Sequence, residues 1–170
     1  AKNGLDADGN PISGTPKAEN SVAKSFTAIT GGLIIAEDFI LTKLGNPYLI
    51  EGPVKVELGA KLTIEPGVTI KFKHNEYWHS EFKVSGELEA LGGSAPDQKI
   101  VFTSFYDATG TTPAAGDWEW LYFKNAQATL DNVVIKYAGR KEGNPPFSPP
   151  FTRGAVYIEG GDVQIKNSTI

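Results

Sequence analysis

"LTIEPGVTIKF", residues 62–72, alternates apolar and polar residues, breaks at Glu65-Pro66-Gly67, and then resumes the alternation. Period-two alternation marks half-buried β-strands, and Pro-Gly supplies a turn between them. Two such short strands need partners. A hairpin would pair them with each other, yet similar text returns at 48–52 (YLIEG), 82–86 (FKVSG) and 156–160 (VYIEG). The recurrence points to a repeat in which each strand pairs with its counterparts in neighbouring units.

Alignment on the apolar-x-apolar core places Ile50, Ile64, Val84, Phe102, Phe123, Ile135, Ile158 and Ile170 in one column. The shortest separations in that column, 12 and 14 residues by subtraction of residue numbers, leave no room for a helical crossover. They suit one coil of a solenoid, in which parallel strands lie about 4.8 Å apart and like side chains pile up. The expected fold is therefore all-β: a parallel β-helix (β-solenoid) with an N-terminal cap and long loop insertions. Asn132 and Asn167 hold matching places before the column and suit corners with left-handed backbone angles.

The organisation follows. Residues 1–25 are polar and aperiodic and read as a flexible or linker-like arm. Residues 26–47 carry the apolar material expected of an N-terminal cap, and 48–170 form the coils. The last residue, Ile170, falls on the first strand of a further coil. The expectation is a solenoid truncated there, whose open end can self-associate end to end.

Composition narrows the function classes. The 170 residues fit one domain, and 19 Gly with 11 Pro favour many turns. A net charge of −4, with Arg140 and Arg153 as the two arginines, argues against nucleic acid, which demands a clustered basic surface. No apolar run is long enough to span a membrane. Cysteine is absent, which excludes disulfides and thiolate metal sites.

Together, "NPYLIEGPVKVELGAKLTIEPGVTIKF" (46–72), "KIVFTS" (99–104), "GDWEWLYF" (116–123) and "IKNSTI" (165–170) resemble secreted or cell-surface right-handed parallel β-helix proteins of bacteria and archaea, the pectin-lyase-like fold. The resemblance implies a right-handed winding and an extracellular or cell-surface location. It is specific for architecture and says little about activity. Glu119-Trp120 departs from the small residue that such proteins usually place after Gly-Asp-Trp.

The resemblance also implies what an enzyme of this kind would need, namely carboxylates, calcium or basic residues projecting from the coils. All eight aspartates fall in expected loops, turns or the arm, so neither a lyase cluster nor a facing carboxylate pair is visible. Glu51 and Glu65, expected on neighbouring coils, come nearest. The leading function is a non-catalytic structural or adhesive module. The alternative is a fragment of a polysaccharide lyase or glycoside hydrolase using loop carboxylates such as Asp107 and Asp117.

Outward positions are more informative. Val101, Tyr122, Val134 and Tyr157 would form an apolar column on four successive coils. Insertions 104–120 and 137–155 leave beside it and carry further aromatic residues. Aromatic faces stack on sugar rings, which makes Tyr106, Trp118, Trp120, Tyr122, Phe147, Phe151 and Tyr157 the candidate glycan-binding residues. Tyr122 and Tyr157 are expected two coils apart, about 9–10 Å. Asp6, Asp8 and Asn10 open with the spacing of a calcium loop, although Pro11 and Lys17 depart from the EF-hand pattern. His74, Glu76, His79 and Glu81 are a second candidate metal group.

Overall fold

The computed structural model describes residues 26–73, 80–108, 110–139 and 154–170, together with the backbone of 141–142 and 151–152. Two parallel sheets dominate. The smaller runs β1 (Thr27–Thr30), β4 (Tyr48–Glu51), β7 (Thr69–Phe72), β10 (Ile100–Ser104), β12 (Val133–Ile135). The larger runs β2 (Leu33–Ile35), β5 (Val54–Val56), β8 (Phe82–Val84), β11 (Leu121–Asp131), then β9 (Glu87–Leu91), β6 (Lys61–Ile64) and β3 (Phe39–Leu41). Strand β15 (Val156–Lys166) lies on the other edge of β11. A separate antiparallel pair joins β13 (Lys141–Glu142) to β14 (Phe151–Thr152).

This arrangement corrects the expected right-handed parallel β-helix. The strands are parallel and the protein is all-β, but they are organised as two sheets, the larger doubling back on itself through β11, and not as a solenoid of 12–14-residue coils. The proposed single column is dispersed. Ile64 is in register with Leu41 and Ala90, Val84 with Val56 and Phe123, and Phe102 with Ile70 and Ile135. The physical reason is that, from β1 to β10, every third strand enters the smaller sheet while the two between enter opposite arms of the larger one. Real partners are farther apart in sequence: Tyr48 meets Ile70, and Val54 meets Phe82. Residues 26–47, read as a cap, supply β1, β2 and β3, which pair in parallel with β4, β5 and β6.

Alternation fixes which side of each strand is dry. In β6 and β7, Leu62, Ile64, Ile70 and Phe72 are buried while Lys61, Thr63, Thr69 and Lys71 stand outward. Between the sheets the buried side chains form one hydrophobic core. Its centre is aromatic. The Phe72 ring centroid lies 4.3 Å from that of Trp118 and 6.5 Å from that of Phe102, both nearly parallel to it, and Phe82 meets Phe72 and Phe102 edge-on. Offset and edge-to-face contacts of this kind add to what burial alone contributes.

The larger sheet bends along one line. Asn125 (φ 50°) turns β11 within its run, and Gly160-Gly161 (φ 77° and 96°) turn β15 beside it. Between β8 and β9 the bend is Ser85-Gly86. A Cβ on Gly86 would collide with the carbonyl oxygens of Glu57 and Ala60. Only glycine lets the backbones approach there.

Phe102→Ala is expected to lower unfolding free energy by about 3–5 kcal/mol, read as a fall in the urea midpoint. Gly86→Ala is expected to be destabilising as well, although its added methyl group is small and apolar. A wild-type midpoint for either variant would contradict the packing described.

Candidate functional site

The outer face of the larger sheet carries one register row, Ile34–Lys55–Lys83–Tyr122–Tyr157. Tyr122 points outward because its neighbours Leu121 and Phe123 are buried. Tyr122 and Tyr157 lie on adjacent strands, with ring centroids 5.2 Å apart and planes tilted by 36°. Lys83 Nζ sits 5.7 Å from the Tyr122 ring centroid, within cation–π range. The Tyr122 hydroxyl donates to Glu159 Oε2. These four side chains form a patch of ring faces with a cation at one side and a carboxylate at the other.

The expected spacing of two coils between the tyrosines is thus corrected to direct adjacency. β11 and β15 pair directly although β12 and the insertion 137–155 separate them in sequence. Val101 and Val134 form a second adjacent pair, but on the smaller sheet. The four residues therefore make two separate patches and not one column.

The other candidate aromatics divide sharply. Trp118 is fully buried, stacks on Phe72 and donates its indole N–H to the Lys136 carbonyl at 2.8 Å. Trp120 is buried as well. Both are buried, so neither presents a ring face to a sugar in this structure. Tyr106 is 42% exposed and packs edge-on against Phe105, whose ring in turn meets Phe26. Phe151 contributes backbone to β14. Phe147 lies outside the described residues.

Asp6, Asp8 and Asn10, the calcium candidates, also lie outside them, as do His74, Glu76 and His79. Among the described residues no three His, Cys, Asp or Glu side chains gather as metal ligands. Glu51 and Glu65, expected as neighbours, serve different elements. Glu51 binds Lys73 Nζ at 2.9 Å and Glu65 accepts the Lys43 backbone N–H at 2.7 Å. The hydrogen bond and charge of Glu51 raise the Lys73 pKa.

The loop carboxylates are committed to anchoring. Asp107 Oδ2 accepts from Lys136 Nζ at 2.6 Å and from Thr103 Oγ1 at 2.7 Å, while the Asp107 carbonyl accepts from Lys71 Nζ at 2.6 Å. Asp117 Oδ2 accepts from Ser104 Oγ at 2.5 Å and from the Ala114 N–H at 3.0 Å. Burial alone would raise the Asp107 carboxyl. The hydrogen bonds from Lys136 and Thr103, with the charges of Lys136 and Lys71, outweigh it and hold the group below its ordinary 3.8. Backbone bonds from Gly116 N to Tyr137 O and from Gly139 N to Glu119 O tie this insertion to the start of the next.

A polar hollow of about 420 Å³ lies along the bend of the larger sheet, lined in part by Asp38, Lys61, Glu87, Asn125 and Gln127. Lys61 Nζ bridges Glu87 and Glu89, each at 2.9 Å. Its hydrogen bonds to Glu89 and then to Glu87 raise its pKa. Sequence reading missed this hollow, because its residues come from strands whose partnership the text does not reveal.

Comparison with known proteins gives one partial similarity. The chain is 39% identical over 101 residues to Protein bark beetle of Drosophila melanogaster, a match covering 59% of this chain and 3% of that protein. No family model matches the chain, and no solved structure matches it. Among the described residues no helix is long and apolar enough to cross a membrane.

The Asp107 anchor carries a pH signature. Its folded carboxyl releases its proton at lower pH than the unfolded one, so its stabilisation is present above the ordinary carboxylate value and is lost as pH falls through the folded value. Asp107→Asn is expected to melt below wild type at neutral pH, with the gap closing on acidification below about pH 4. A gap independent of pH would rule out the ion pair as its source.

Proposed function

We propose that the chain is a non-catalytic structural and adhesive module of an extracellular protein and that its Tyr122–Tyr157 patch contacts glycan. The observation that carries this reading is the direct adjacency of two outward tyrosines on a sheet, with Lys83 over one ring and Glu159 accepting from its hydroxyl. Ring faces provide the apolar contact for a pyranose, and the flanking charged groups can orient its hydroxyls.

Three further features support it. Asp107 and Asp117, the loop carboxylates that could act as acid and base, each commit Oδ2 to the fold, the first to Lys136 and Thr103 and the second to Ser104 and the Ala114 N–H. A chain without cysteine is also indifferent to an oxidising compartment, where thiols would cross-link. The scaffold beneath the patch is rigid, because Leu121 and Phe123 on either side of Tyr122 are held in the core.

The test is retention on a panel of immobilised polysaccharides. Wild type should bind at least one glycan, and Tyr122→Ala with Tyr157→Ala should weaken that binding about tenfold, the effect of losing about 1.4 kcal/mol. Melting temperature should change little, because both substitutions lie on the outer face. Equal retention by the double variant, or release of cleaved sugar by wild type, would overturn the reading.

A further inference from the structure

We propose that Asn167 is an acceptor for N-linked glycosylation. This goes beyond the glycan-contact reading and rests on its extracellular part. Asn167-Ser168-Thr169 is the one place in the chain where an asparagine is followed, after a non-proline residue, by Ser or Thr at the second position, the pattern required of an acceptor.

The fold places this tripeptide where such a modification fits. Asn167 is exposed and follows the end of β15 in a left-handed turn (φ 49°). Asn132 occupies the matching turn after β11 (φ 52°) and offers a contrast. It is half-buried, and its Nδ2 donates both to the Gly92 carbonyl at 3.3 Å and to Asp131 Oδ1 at 3.1 Å. Val134 stands two residues after it, where the acceptor pattern needs a hydroxyl.

Asn167 Nδ2 donates to Asp131 Oδ1 at 2.8 Å. An amide nitrogen carries two protons and glycosylation replaces one, so the remaining N–H can keep Asp131. Ser168 takes no part in the transfer. Its hydroxyl donates to the Lys166 carbonyl and accepts the Val133 N–H, fixing the turn. Thr169 continues into a parallel bridge with Val134 through backbone groups, which leaves the modified side chain outside the sheet.

The donor would be a lipid-pyrophosphate-linked oligosaccharide. The Asn167 amide nitrogen forms a bond to the anomeric carbon as the bond from that carbon to the phosphate oxygen breaks. The lipid pyrophosphate departs with the electron pair, and a base of the transferase takes the amide proton.

The test is secretion of residues 1–170 from an animal cell line behind a foreign signal peptide, with intact-mass measurement before and after peptide N-glycosidase. The expected result is a mass increase of one oligosaccharide. The enzyme should remove it and leave aspartate at 167. Asn167→Gln and Thr169→Ala should both abolish the increase, and Thr169→Ser should retain it. A secreted wild-type chain of bare polypeptide mass overturns the proposal. Should Asn167→Gln fail to leave the cell, the wild-type peptide map and Thr169→Ser still decide. Because the foreign signal drives export, an unmodified chain counts against the acceptor alone, whereas the extracellular and glycan-contact reading is judged separately on chain made in bacteria.

Discussion

From β1 through β8, every strand pairs with the strand third after it in sequence. That constraint governs the rest of the molecule. None of the strands in the two main sheets is completed by its immediate neighbour, so local contacts cannot stabilise any of them alone. Stability must come from side chains brought together over long sequence separations, and the entropy of closing those loops is repaid only when the interior is dry. The Phe72–Phe82–Phe102–Trp118 cluster is where that repayment concentrates, since it joins strands of both sheets to an inserted loop.

The insertion between β10 and β11 is accordingly part of the framework. Trp118 plugs the core. Asp107 and Asp117 clamp the loop to Lys136, Thr103 and Ser104, and backbone bonds bind it to the segment after β12. An insertion rich in aromatic residues can be a ligand surface or a piece of core that happens to arrive late in the chain. Here Trp118 belongs to the core and Trp120 is buried as well. The outward aromatic surface comes instead from Tyr122 and Tyr157, which sit on the sheet itself.

Much of the local structure was legible in the sequence. The alternation in "LTIEPGVTIKF" marks β6 and β7 and their buried residues correctly, and the left-handed angles at Asn132 and Asn167 follow from their place at turns. The partnership of strands was not legible. Two strands with the same apolar-x-apolar text look equivalent on paper, yet Ile64 and Val84 belong to different arms of the bent sheet. Turns and insertions of unequal length conceal the true register. The same ambiguity separated Tyr122 from Tyr157. Burial of Trp118 was hidden for another reason: a Trp between Asp and Glu carries no sign of which way its backbone faces.

Strand β11 runs unbroken through the bend and is bonded along its length to β15, while its two ends hold β8 and β9 on the opposite edge. A pull applied along its axis would load many interstrand bonds side by side, and they would have to shear together instead of unzipping singly. The two arms of the sheet would then yield as one body. For a module that transmits tension between neighbours, this shared ladder would be the mechanical element, and its resistance would depend on direction: strong along the strands and weak across them.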